Sequence, residues 1–586
     1  MKDTPFTADR LLALYDRVAE AEDAIPLLSQ TILNLAVRGK LVEQDADDEP
    51  AEKVLKSISK EIGIKRKKMG LRPNLTLPSV DESDTPFGLP SGWAWARFPE
   101  VGVFARGKSK HRPRNDPHLY ANGTVPFVQT GDVARSGGII SSHSAVYNET
   151  GLRQSMLWPA GTMCITIAAN IADSGILTFD ACFPDSVVGL VAASHFGNAR
   201  YFEYFVRTAK ANLTEFAPAT AQKNINLGIL EMVLIPLPPL AEQQRIVAKV
   251  DDLMALCDQL EQARAGREAV RDRLTAATWA RLTAPETDAE TFPTHARTAL
   301  HTLPTLTTRA GQIKTLRQTI LNLAVGGKLV EQDAADEPAA VLIGRLRSSR
   351  AELEQQKLIL KPTKPKGVED APFVLPTSWL WSRLVEVCDV VDPNPSHRMP
   401  EYVAQNGYPL VSSQNFAEND QIDYSIGKKV SLSTVEEQAE RFSILPGSFL
   451  FSRIGTIGKT RPLKAERSYA ISHACCVINP VSAEDLSMRF LRLALSAETI
   501  LMQAHHGVQS VGVPDLGMGV MRAMQIPLPP LAEQHRIVAK VDALMALCNQ
   551  LESSLTTATT TRSRLLEHLL HEALNGALGG LPEIAA

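Results

Sequence analysis

The chain has 586 residues, 44% hydrophobic and 22% charged, a composition typical of globular proteins that excludes a largely disordered chain. Its 61 basic and 65 acidic residues give a net charge of -4, so any nucleic-acid partner would have to bind a local basic surface. We expect neither a membrane-spanning helix, which needs roughly 18 consecutive apolar residues, nor a signal peptide. Seven cysteines without a C-x-x-C pair predict a reducing, cytoplasmic compartment.

An internal repeat organises the sequence. Residues 30–50 and 318–338 are identical at 19 of 21 positions, and residues 235–261 and 526–552 are identical at 24 of 27. The segments between these stretches barely resemble each other beyond their first residues. A constant frame around two divergent inserts indicates that the frame does one job twice and that the inserts do two jobs of one kind. Uniform drift of two duplicated domains is the alternative.

The predicted domains follow from this repeat. In chain order they are an N-terminal helical repeat with a linker (1–84), the first insert (85–235), a central long helix (236–282), a linker (283–309), a second helical repeat with a linker (310–370), the second insert (371–526) and a C-terminal long helix (527–586). The linker at 283–309 is predicted because this segment is rich in threonine and proline and shows no clean period.

The frame is predicted to form long paired helices. Small or apolar residues recur with a 4-3 spacing after the second L-P-P-L motif, at Ile537, Val541, Leu544 and Cys548. This is the spacing of a coiled-coil seam, and the first copy keeps it, with Cys257 at the position of Cys548. We therefore expect both cysteines to be packed thiols. Because each copy has a helix before and a helix after its insert, we predict antiparallel coiled coils in a pseudo-two-fold arrangement.

Each insert, about 150 residues long, is predicted to be an α/β domain. Short apolar runs such as 125–128, 163–167 and 474–478 are separated by Gly, Pro, Asn and Asp, which is typical of strands. Helical stretches such as 200–213 lie between them. The predicted fold is thus two α/β domains separated by long antiparallel coiled-coil helices within a tandem internal repeat.

Catalytic motifs are missing from the sequence. Residues 454–460 (IGTIGKT) look like a phosphate-binding loop, but the first glycine of that motif would fall on Arg453. No lysine has an acidic residue two positions before it, as a D/E-x-K nuclease site requires. A long chain without a recognisable catalytic motif is predicted to be a binding subunit, and an enzyme with an unrecognised site is the alternative.

Basic residues concentrate in one loop of the first insert, 106–114 (RGKSKHRPR). Flexible cationic loops suit contact with phosphates, and a solvated surface loop is the alternative. The second insert has no such run, but it places basic residues around Gly455 and Gly458, a turn that lets the backbone approach a phosphate. The candidate phosphate-binding residues are Arg106, Lys108, Lys110, Arg112, Arg114, Arg453, Lys459 and Arg461.

Amide side chains occur in loops at equivalent places of the two inserts, after a strand-like run and again near the end. Asparagine and glutamine can read adenine, and lysine and arginine can read guanine, whereas ordinary turn chemistry is the alternative. The candidate base-reading residues are Gln129, Lys223, Asn224, Gln414, Asn415 and Gln509.

Three repeated motifs together resemble the specificity (S) subunits of type I restriction–modification systems. They are G-K-L-V at the end of each first helix (39–42 and 327–330), L-P-x-x-W-x-W at the start of each insert (89–95 and 375–381), and I-P-L-P-P-L-A-E-Q-x-R-I-V at the end of each insert. The resemblance covers nearly the whole chain.

The resemblance implies that each insert is a target recognition domain that reads one half of a bipartite site in double-stranded DNA. It also implies that the helices hold two modification (methyltransferase) subunits, which carry S-adenosylmethionine and methylate adenine N6. Restriction (motor–nuclease) subunits that use ATP and Mg would join for cleavage. The chain itself is then a non-catalytic subunit that binds no cofactor or metal. The alternatives are a specificity subunit of a split-site system without ATP-driven translocation and a coiled-coil scaffold for proteins.

Overall fold

The computed structural model describes residues 21 and 23–576 except 73–76, 79, 81–84, 112, 169–171, 212–226, 285–289, 360, 362–370, 397–399, 467 and 506–513. The chain forms two compact units, residues 1–266 with 559–586 and residues 267–558. Within the described ranges, no helix combines the length and the apolar content needed to cross a membrane.

The first unit begins with two helices, continues into the first insert and ends in a long helix that runs past the unit boundary. In chain order its elements are α1 (Ala24–Val37), α2 (Ala51–Lys68), β1 (Ala94–Arg97), α3 (Phe98–Val101), β2 (Gly102–Arg106), β3 (Val125–Phe127), α4 (Thr130–Ala134), β4 (Gly138–Ile140), β5 (Ala145–Tyr147), α5 (Glu149–Arg153), β6 (Leu157–Trp158), β7 (Met163–Thr166), β8 (Ser174–Leu177), β9 (Ala181–Cys182), β10 (Val187–Ala192), α6 (Arg200–Ala211), α7 (Leu227–Met232), β11 (Leu234–Leu237) and α8 (Leu240–Thr283).

Two sheets form the core of the first insert. One has the strand order β2-β10-β7-β8-β4, with β4 parallel to β8, and the other has the order β5-β3-β9-β6. The stacked rings of Trp158 and Phe183, with centroids 4.8 Å apart, share an apolar core with Cys164 of β7, so the two sheets pack on each other. Strand β1 pairs with β11, with Ala94 opposite Leu237, so the insert begins and ends at the same place.

The second unit has the same helical frame around an insert whose elements differ from those of the first. In chain order the elements of the second unit are α9 (Phe292–Leu306), α10 (Ala310–Val325), α11 (Ala339–Gln355), β12 (Leu380–Arg383), α12 (Leu384–Val387), β13 (Cys388–Val391), β14 (Tyr408–Val411), β15 (Lys429–Val430), α13 (Leu432–Arg441), β16 (Phe449–Ser452), β17 (Thr460–Pro462), β18 (Ala470–Ile471), β19 (Cys475–Pro480), α14 (Met488–Ser496), α15 (Glu498–His505), α16 (Met518–Ala523), β20 (Gln525–Leu528) and α17 (Leu531–Gly576).

The second insert also contains two sheets. Their strand orders are β13-β19-β16-β17 and β15-β14-β18. The central strands β16 and β19 are buried along their whole length, with Leu450 opposite Val477. Strands β12 and β20 pair, with Leu380 opposite Leu528, and so close this insert in the same way as the first. The prediction of two α/β inserts within a repeated helical frame is confirmed.

Within each unit, the helix before the insert packs antiparallel against the first part of the long helix after it. In the first unit, the buried Cys257 of α8 lies in the same apolar core as α1. In the second unit, the buried Cys548 of α17 shares a core with α10, and Arg317 of α10 pairs with Glu552 at 2.7 Å. The predicted seam, the antiparallel pairing and the two packed thiols are confirmed.

One predicted linker is partly helical. Phe292–Leu306 forms helix α9, whose buried Ala299 packs in a cluster with Trp279 and Leu323 of the same unit. Threonine hydroxyls in this helix donate hydrogen bonds to backbone carbonyls of the preceding turn. The hydroxyl of Thr298, for example, donates to the carbonyl of Thr294 at 2.9 Å. The linker prediction is wrong for this segment because positions 292, 296, 299 and 303 repeat at 4-3-4 and form an apolar face that is buried.

Candidate nucleic-acid interface

The three repeated motifs meet at one point of the first unit. Gly39 ends the turn after α1 with φ +67°, and a Cβ there would lie 2.6 Å from Cγ of Pro90. Indole Nε1 of Trp93 donates a hydrogen bond to Oε2 of Glu242 at 2.9 Å. Burial raises the pKa of Glu242, and the indole hydrogen bond opposes that shift. The G-K-L-V, L-P-x-x-W and A-E-Q motifs therefore form one joint between frame and insert.

The second unit builds the same joint from the same residue types. Gly327 has φ +69°, and a Cβ there would overlap the ring of Pro376. Indole Nε1 of Trp379 donates to Oε2 of Glu533, again at 2.9 Å, and burial again raises the pKa of the carboxyl. Because both inserts are held at the same joint, packing at the joint accounts for the near-identity of the frame, while the inserts are free to differ.

The basic loop of the first insert is anchored by its backbone and exposes its lysines. The amide of Lys108 donates to the carbonyl of Phe183 at 3.1 Å, and the amide of Lys110 donates to Oε1 of Gln154 at 2.6 Å. Both lysine side chains are exposed. The loop therefore presents two cations from a fixed backbone.

The arginines at the two ends of this loop are exposed but share a partner. Arg106 donates to the carbonyl of Asp185, and Arg114 pairs with the carboxylate of the same residue. Asp185 therefore closes the loop, and part of the cationic character of these two arginines is balanced within the insert. Arg112, the fifth predicted cation, lies outside the described residues.

The chain turns in the same way after β3 and after β14. Carboxylate Oδ2 of Asp132 accepts from the amide of Gln129 at 2.9 Å, and Oδ1 of Asn415 accepts from the amide of Ser412 at 2.9 Å. Gln129 is exposed, and so is Gln414, so base reading by these two glutamines stays a prediction. The sequence placed these turns correctly.

Asn415 does not present its amide to the surface. Its side chain is 1% exposed, and its Nδ2 donates to the carbonyls of Asp423 and Ile426 at 2.9 Å each. The prediction of a base-reading residue is wrong for Asn415, because all of its side-chain hydrogen-bonding capacity is used to shape the loop. The turn chemistry that stood as the alternative describes this residue.

Arg453 is also a structural residue rather than a phosphate contact. It is 2% exposed, its Nε donates to the carbonyl of His473 at 2.9 Å, and its Nη1 lies 2.8 Å from Oδ1 of Asp515. The prediction of a direct DNA contact is wrong for Arg453, because a guanidinium buried inside the domain and bonded there through Nε and Nη1 cannot reach a phosphate. Sequence alone gave no sign of this burial.

The other predicted cations of this turn in the second insert differ in exposure: Arg461 is mostly buried and Lys459 is exposed. Gly455 and Gly458 have φ of +76° and +95°, so the expected sharp turn is present. Arg461 donates to the carbonyl of Ala417 and lies over the ring of Phe416, with its side chain mostly buried. Lys459 is exposed and remains a predicted phosphate contact. The candidates Lys223, Asn224 and Gln509 lie outside the described residues.

A polar cleft of about 240 Å³ in the first insert was not predicted. It is lined by Asp132, Arg135, Ser136, Ile139, Ile140, Ser141, Ser142, His143 and Ser144. Asp132 is fixed there by Ser144, whose hydroxyl donates to it at 2.8 Å, and Arg135 is largely exposed beside it. Donors and acceptors on the rim of a concave site suit base edges. The only sequence signal was the S-S-H-S run at 141–144.

A buried carboxyl supports the strand that leads into this cleft. Glu203 of α6 is 0% exposed, accepts from the hydroxyl of Ser174 at 3.2 Å, and lies 3.7 Å from Arg200. Burial raises the pKa of Glu203 to about 7, although the neighbouring arginines oppose the shift. At Gly138, where β4 begins, a Cβ would lie 2.9 Å from Oε1 of Glu203, so the carboxyl fills the space that the glycine leaves.

The stability of the first unit should therefore depend on pH through Glu203. Because the pKa of about 7 is above the ordinary value of 4.5, the folded state binds a proton more tightly, and stability falls as pH rises from about 4.5 through 7. Glu203→Gln removes this titration. The free energy of unfolding of Glu203→Gln minus that of the wild type should rise by about 1–2 kcal/mol from pH 5.5 to pH 8.5, as measured by thermal unfolding.

Glu61 provides the matched control. Burial alone raises its pKa, but hydrogen bonds from Lys65 and Ser194 lower it to about 2, so it is ionised throughout this pH range. Glu61→Gln should therefore differ from the wild type by a constant amount from pH 5.5 to pH 8.5. A pH-independent difference for Glu203→Gln as well would mean that Glu203 does not titrate there.

The units together define a class of protein. Two inserts of different sequence are each held at the same joint of a repeated helical frame, and each exposes cations and amides on its loops. In the part of the chain that the structure describes, no group of three or more His, Cys, Asp or Glu side chains is placed to hold a metal ion. The repeated joint, the divergence of the inserts and their exposed cations and amides are features of a protein with two nucleic-acid-binding domains.

The chain belongs to the family of type I restriction–modification DNA specificity proteins. The family model described as "Type I restriction modification DNA specificity domain" matches residues 90–266 and 376–558, which together are more than half of the chain. Each match covers nearly all of one insert and continues past the glutamate, Glu242 or Glu533, that accepts the indole hydrogen bond at the joint. The chain is therefore a DNA-sequence specificity subunit, as the repeated motifs predicted, and subunits of this family supply specificity rather than catalysis.

Relatives of known function resemble the chain over most of its length. It is 29% identical to the type I restriction enzyme EcoAI specificity subunit and 27% identical to the EcoEI specificity subunit, both from Escherichia coli, with 94% of each chain covered. A solved chain from work on complex assembly and conformational transition of the type I R-M system matches with 20% identity and a TM-score of 0.46, over 83% of this chain and 99% of that one.

Proposed function

We propose that the two inserts read the two halves of a bipartite site in double-stranded DNA. The observation that carries this proposal is the joint: Trp93–Glu242 and Trp379–Glu533 hold two inserts of unrelated sequence in the same way. A frame that repeats its joint while its inserts diverge suits two readers with different targets. The relatives are named as specificity subunits of restriction enzymes, which supports the same function here.

The helical frame is the proposed docking site for two modification subunits. Leu256 of α8 and Leu547 of α17 occupy equivalent positions in the repeat and are 52% and 59% exposed. An exposed leucine at the same place in both copies is suited to two copies of one protein partner. In this proposal those partners carry S-adenosylmethionine and methylate adenine N6. Restriction subunits that use ATP and Mg would join them, and the chain described here would remain non-catalytic.

The test is methylation sequencing of host DNA after co-expression of the chain with the modification subunit of the same system. We expect N6-methyladenine at one split sequence motif, and no such methylation when either chain is expressed alone. Methyl transfer by the isolated chain after stringent purification would contradict the proposal, and so would a methylated motif without two separated halves.

The lysines of the basic loop are expected to anchor phosphates rather than read bases. Replacing Lys108 and Lys110 by glutamine should weaken binding to all duplex sequences about equally. Since each phosphate contact contributes roughly 0.9 to the slope of log K against log salt, the slope should flatten by roughly 2. Lys249→Gln, an exposed lysine on α8, is the control and should leave the slope unchanged. A changed recognition sequence with an unchanged slope would assign the loop to base reading.

A further inference from the structure

We propose that helix α2 carries a second phosphate-binding surface, the lysine face, which the second copy lacks. This inference rests on the proposed function. The lysine face consists of Lys53, Lys56, Lys60, Lys67 and Lys68, all of which are exposed. Their spacing of three, four, seven and one residues places them on one side of an α-helix, along about 22 Å of its axis. Such a row of cations suits a polyanion with regularly spaced charges, and double-stranded DNA is that partner.

The packing of α2 fixes the direction of the lysine face. Its opposite side is formed by Val54, Ile58 and Ile62, which are buried in the core of the first unit. Lys65 lies at the edge and is paired with Glu61 at 2.6 Å, so it is not counted in the lysine face. Glu52 is 4.0 Å from Lys56, but an exposed pair at this separation is worth little. The helix cannot rotate without losing its core contacts, so the lysines stay at the surface.

The end of α2 lies against the strand that leads into the basic loop. Nη1 of Arg66, a buried residue of the last turn, donates to the carbonyl of Phe104 in β2 at 3.4 Å. Two residues further along β2 is Arg106, where the basic loop begins. Strand β2 thus connects the two groups of lysines: α2, which carries the lysine face, is hydrogen-bonded to it, and the loop with Lys108 and Lys110 follows it in the chain.

The second copy has the same helix without the lysines. Ala339–Gln355 buries Leu342 and Leu346 at the positions of Val54 and Ile58. The positions equivalent to the lysine face hold, in order, Val341, Gly344, Ser348, Gln355 and Gln356. The frame therefore does not need these lysines in order to fold.

The cations of the second helix are already balanced by neighbouring carboxylates. Arg345 pairs with Glu337 at 2.6 Å and with Asp485 at 2.9 Å, and Arg347 lies 3.7 Å from Glu386. The two inserts differ in the same direction, since residues 85–235 have 12 basic and 10 acidic side chains and residues 371–526 have 13 and 15.

This asymmetry favours DNA over a protein partner of the frame. A partner that docks on both copies requires surfaces that both copies share, and the lysine face is present in one copy only. The lysine face, by contrast, lies on a helix that is bonded to the strand leading into the basic loop of the first reader. We infer that the complex holds DNA more strongly at the half-site of the first insert than at the half-site of the second.

The experiment measures DNA binding by the chain in complex with its modification subunit, on a duplex that carries the methylated motif and on an unrelated duplex. The variant Lys56→Gln, Lys60→Gln, Lys67→Gln should flatten the slope of log K against log salt by roughly 2–3, since each lost phosphate contact contributes roughly 0.9. The methylated motif should not change. Arg345→Gln with Arg347→Gln, on the equivalent helix of the second copy, is the matched control and should leave the slope as in the wild type.

A gain-of-function variant keeps the test independent of folding. Placing lysine at Val341, Gly344 and Ser348 should steepen the salt slope. If the salt slope is unchanged both in the glutamine variant of α2 and in the lysine variant of the second copy, the lysine face does not bind DNA. If the glutamine variant loses the modification subunit while its salt slope is unchanged, α2 binds protein instead, and the proposal is also overturned. If the wild-type complex itself does not prefer the motif over the unrelated duplex, the proposed bipartite reading fails instead.

Discussion

Arg453→Met is expected to lower the free energy of unfolding of the second unit by about 3 kcal/mol and to abolish recognition by the second insert. The guanidinium of Arg453 is 2% exposed and hydrogen-bonds to the carbonyls of His473 and Leu516 and to the carboxylate of Asp515. Methionine has a similar length but replaces none of these hydrogen bonds. The loop that contains Gly455 would then lose the side-chain hydrogen bonds that Arg453 makes to the rest of the insert.

Lys459→Met is the matched control on the same turn. Because Lys459 is exposed, its replacement should change stability by less than about 0.5 kcal/mol and act on DNA binding alone. Thermal unfolding separates the two variants: we expect Arg453→Met to lower the Tm of the second unit by roughly 6 °C and Lys459→Met to leave it unchanged. Wild-type stability of Arg453→Met would mean that the guanidinium is not a structural residue.

Gly39→Ala should destabilise the first unit by about 3 kcal/mol. Part of this is the cost of a left-handed backbone conformation, about 1–2 kcal/mol, because Gly39 has φ +67°. The rest is overlap, since the added Cβ would lie 2.6 Å from Pro90 and 3.0 Å from the indole of Trp93. The overlap would displace the indole from Glu242 and open the joint between frame and insert.

Gly70 separates the two contributions. It ends α2 with φ +70°, and nothing lies within 4 Å of a Cβ built there, so Gly70→Ala carries the backbone cost alone. We expect Gly39→Ala to lower the Tm of the first unit by about 2–4 °C more than Gly70→Ala does. Equal effects of the two substitutions would show that the joint is not closely packed at Gly39.

The frame could be predicted from the sequence because its signals are periodic. The 4-3 spacing gave the seam that contains Cys257 and Cys548, and both thiols are buried. The same kind of spacing is present at 292–303, although the threonine and proline content of this segment suggests a linker. Composition describes what a segment contains, but burial of an apolar face depends on position, and Phe292–Leu306 has such a face.

The site was harder to predict because the sequence around a polar residue does not show whether its side chain is buried. Arg453 and Lys459 looked alike in sequence, yet one is inside the insert and the other is exposed. In the same way, Asn415 is buried although its neighbour Gln414 is exposed. The residues that decide between the two outcomes, such as Asp515 and Asp423, are distant in sequence or belong to a loop without a pattern. Tertiary contacts, not propensities, place these side chains.

Exchange of one insert tests the central claim most directly, namely that each insert reads its own half of the DNA site. Residues 85–235 of this chain would be replaced by the corresponding insert of the EcoAI specificity subunit, with the joint residues Trp93 and Glu242 kept as tryptophan and glutamate. The measurement is methylation sequencing after co-expression with the modification subunit. We predict that one half of the methylated motif changes and that the other half is retained. A motif in which both halves change together, or in which neither changes, would contradict the claim.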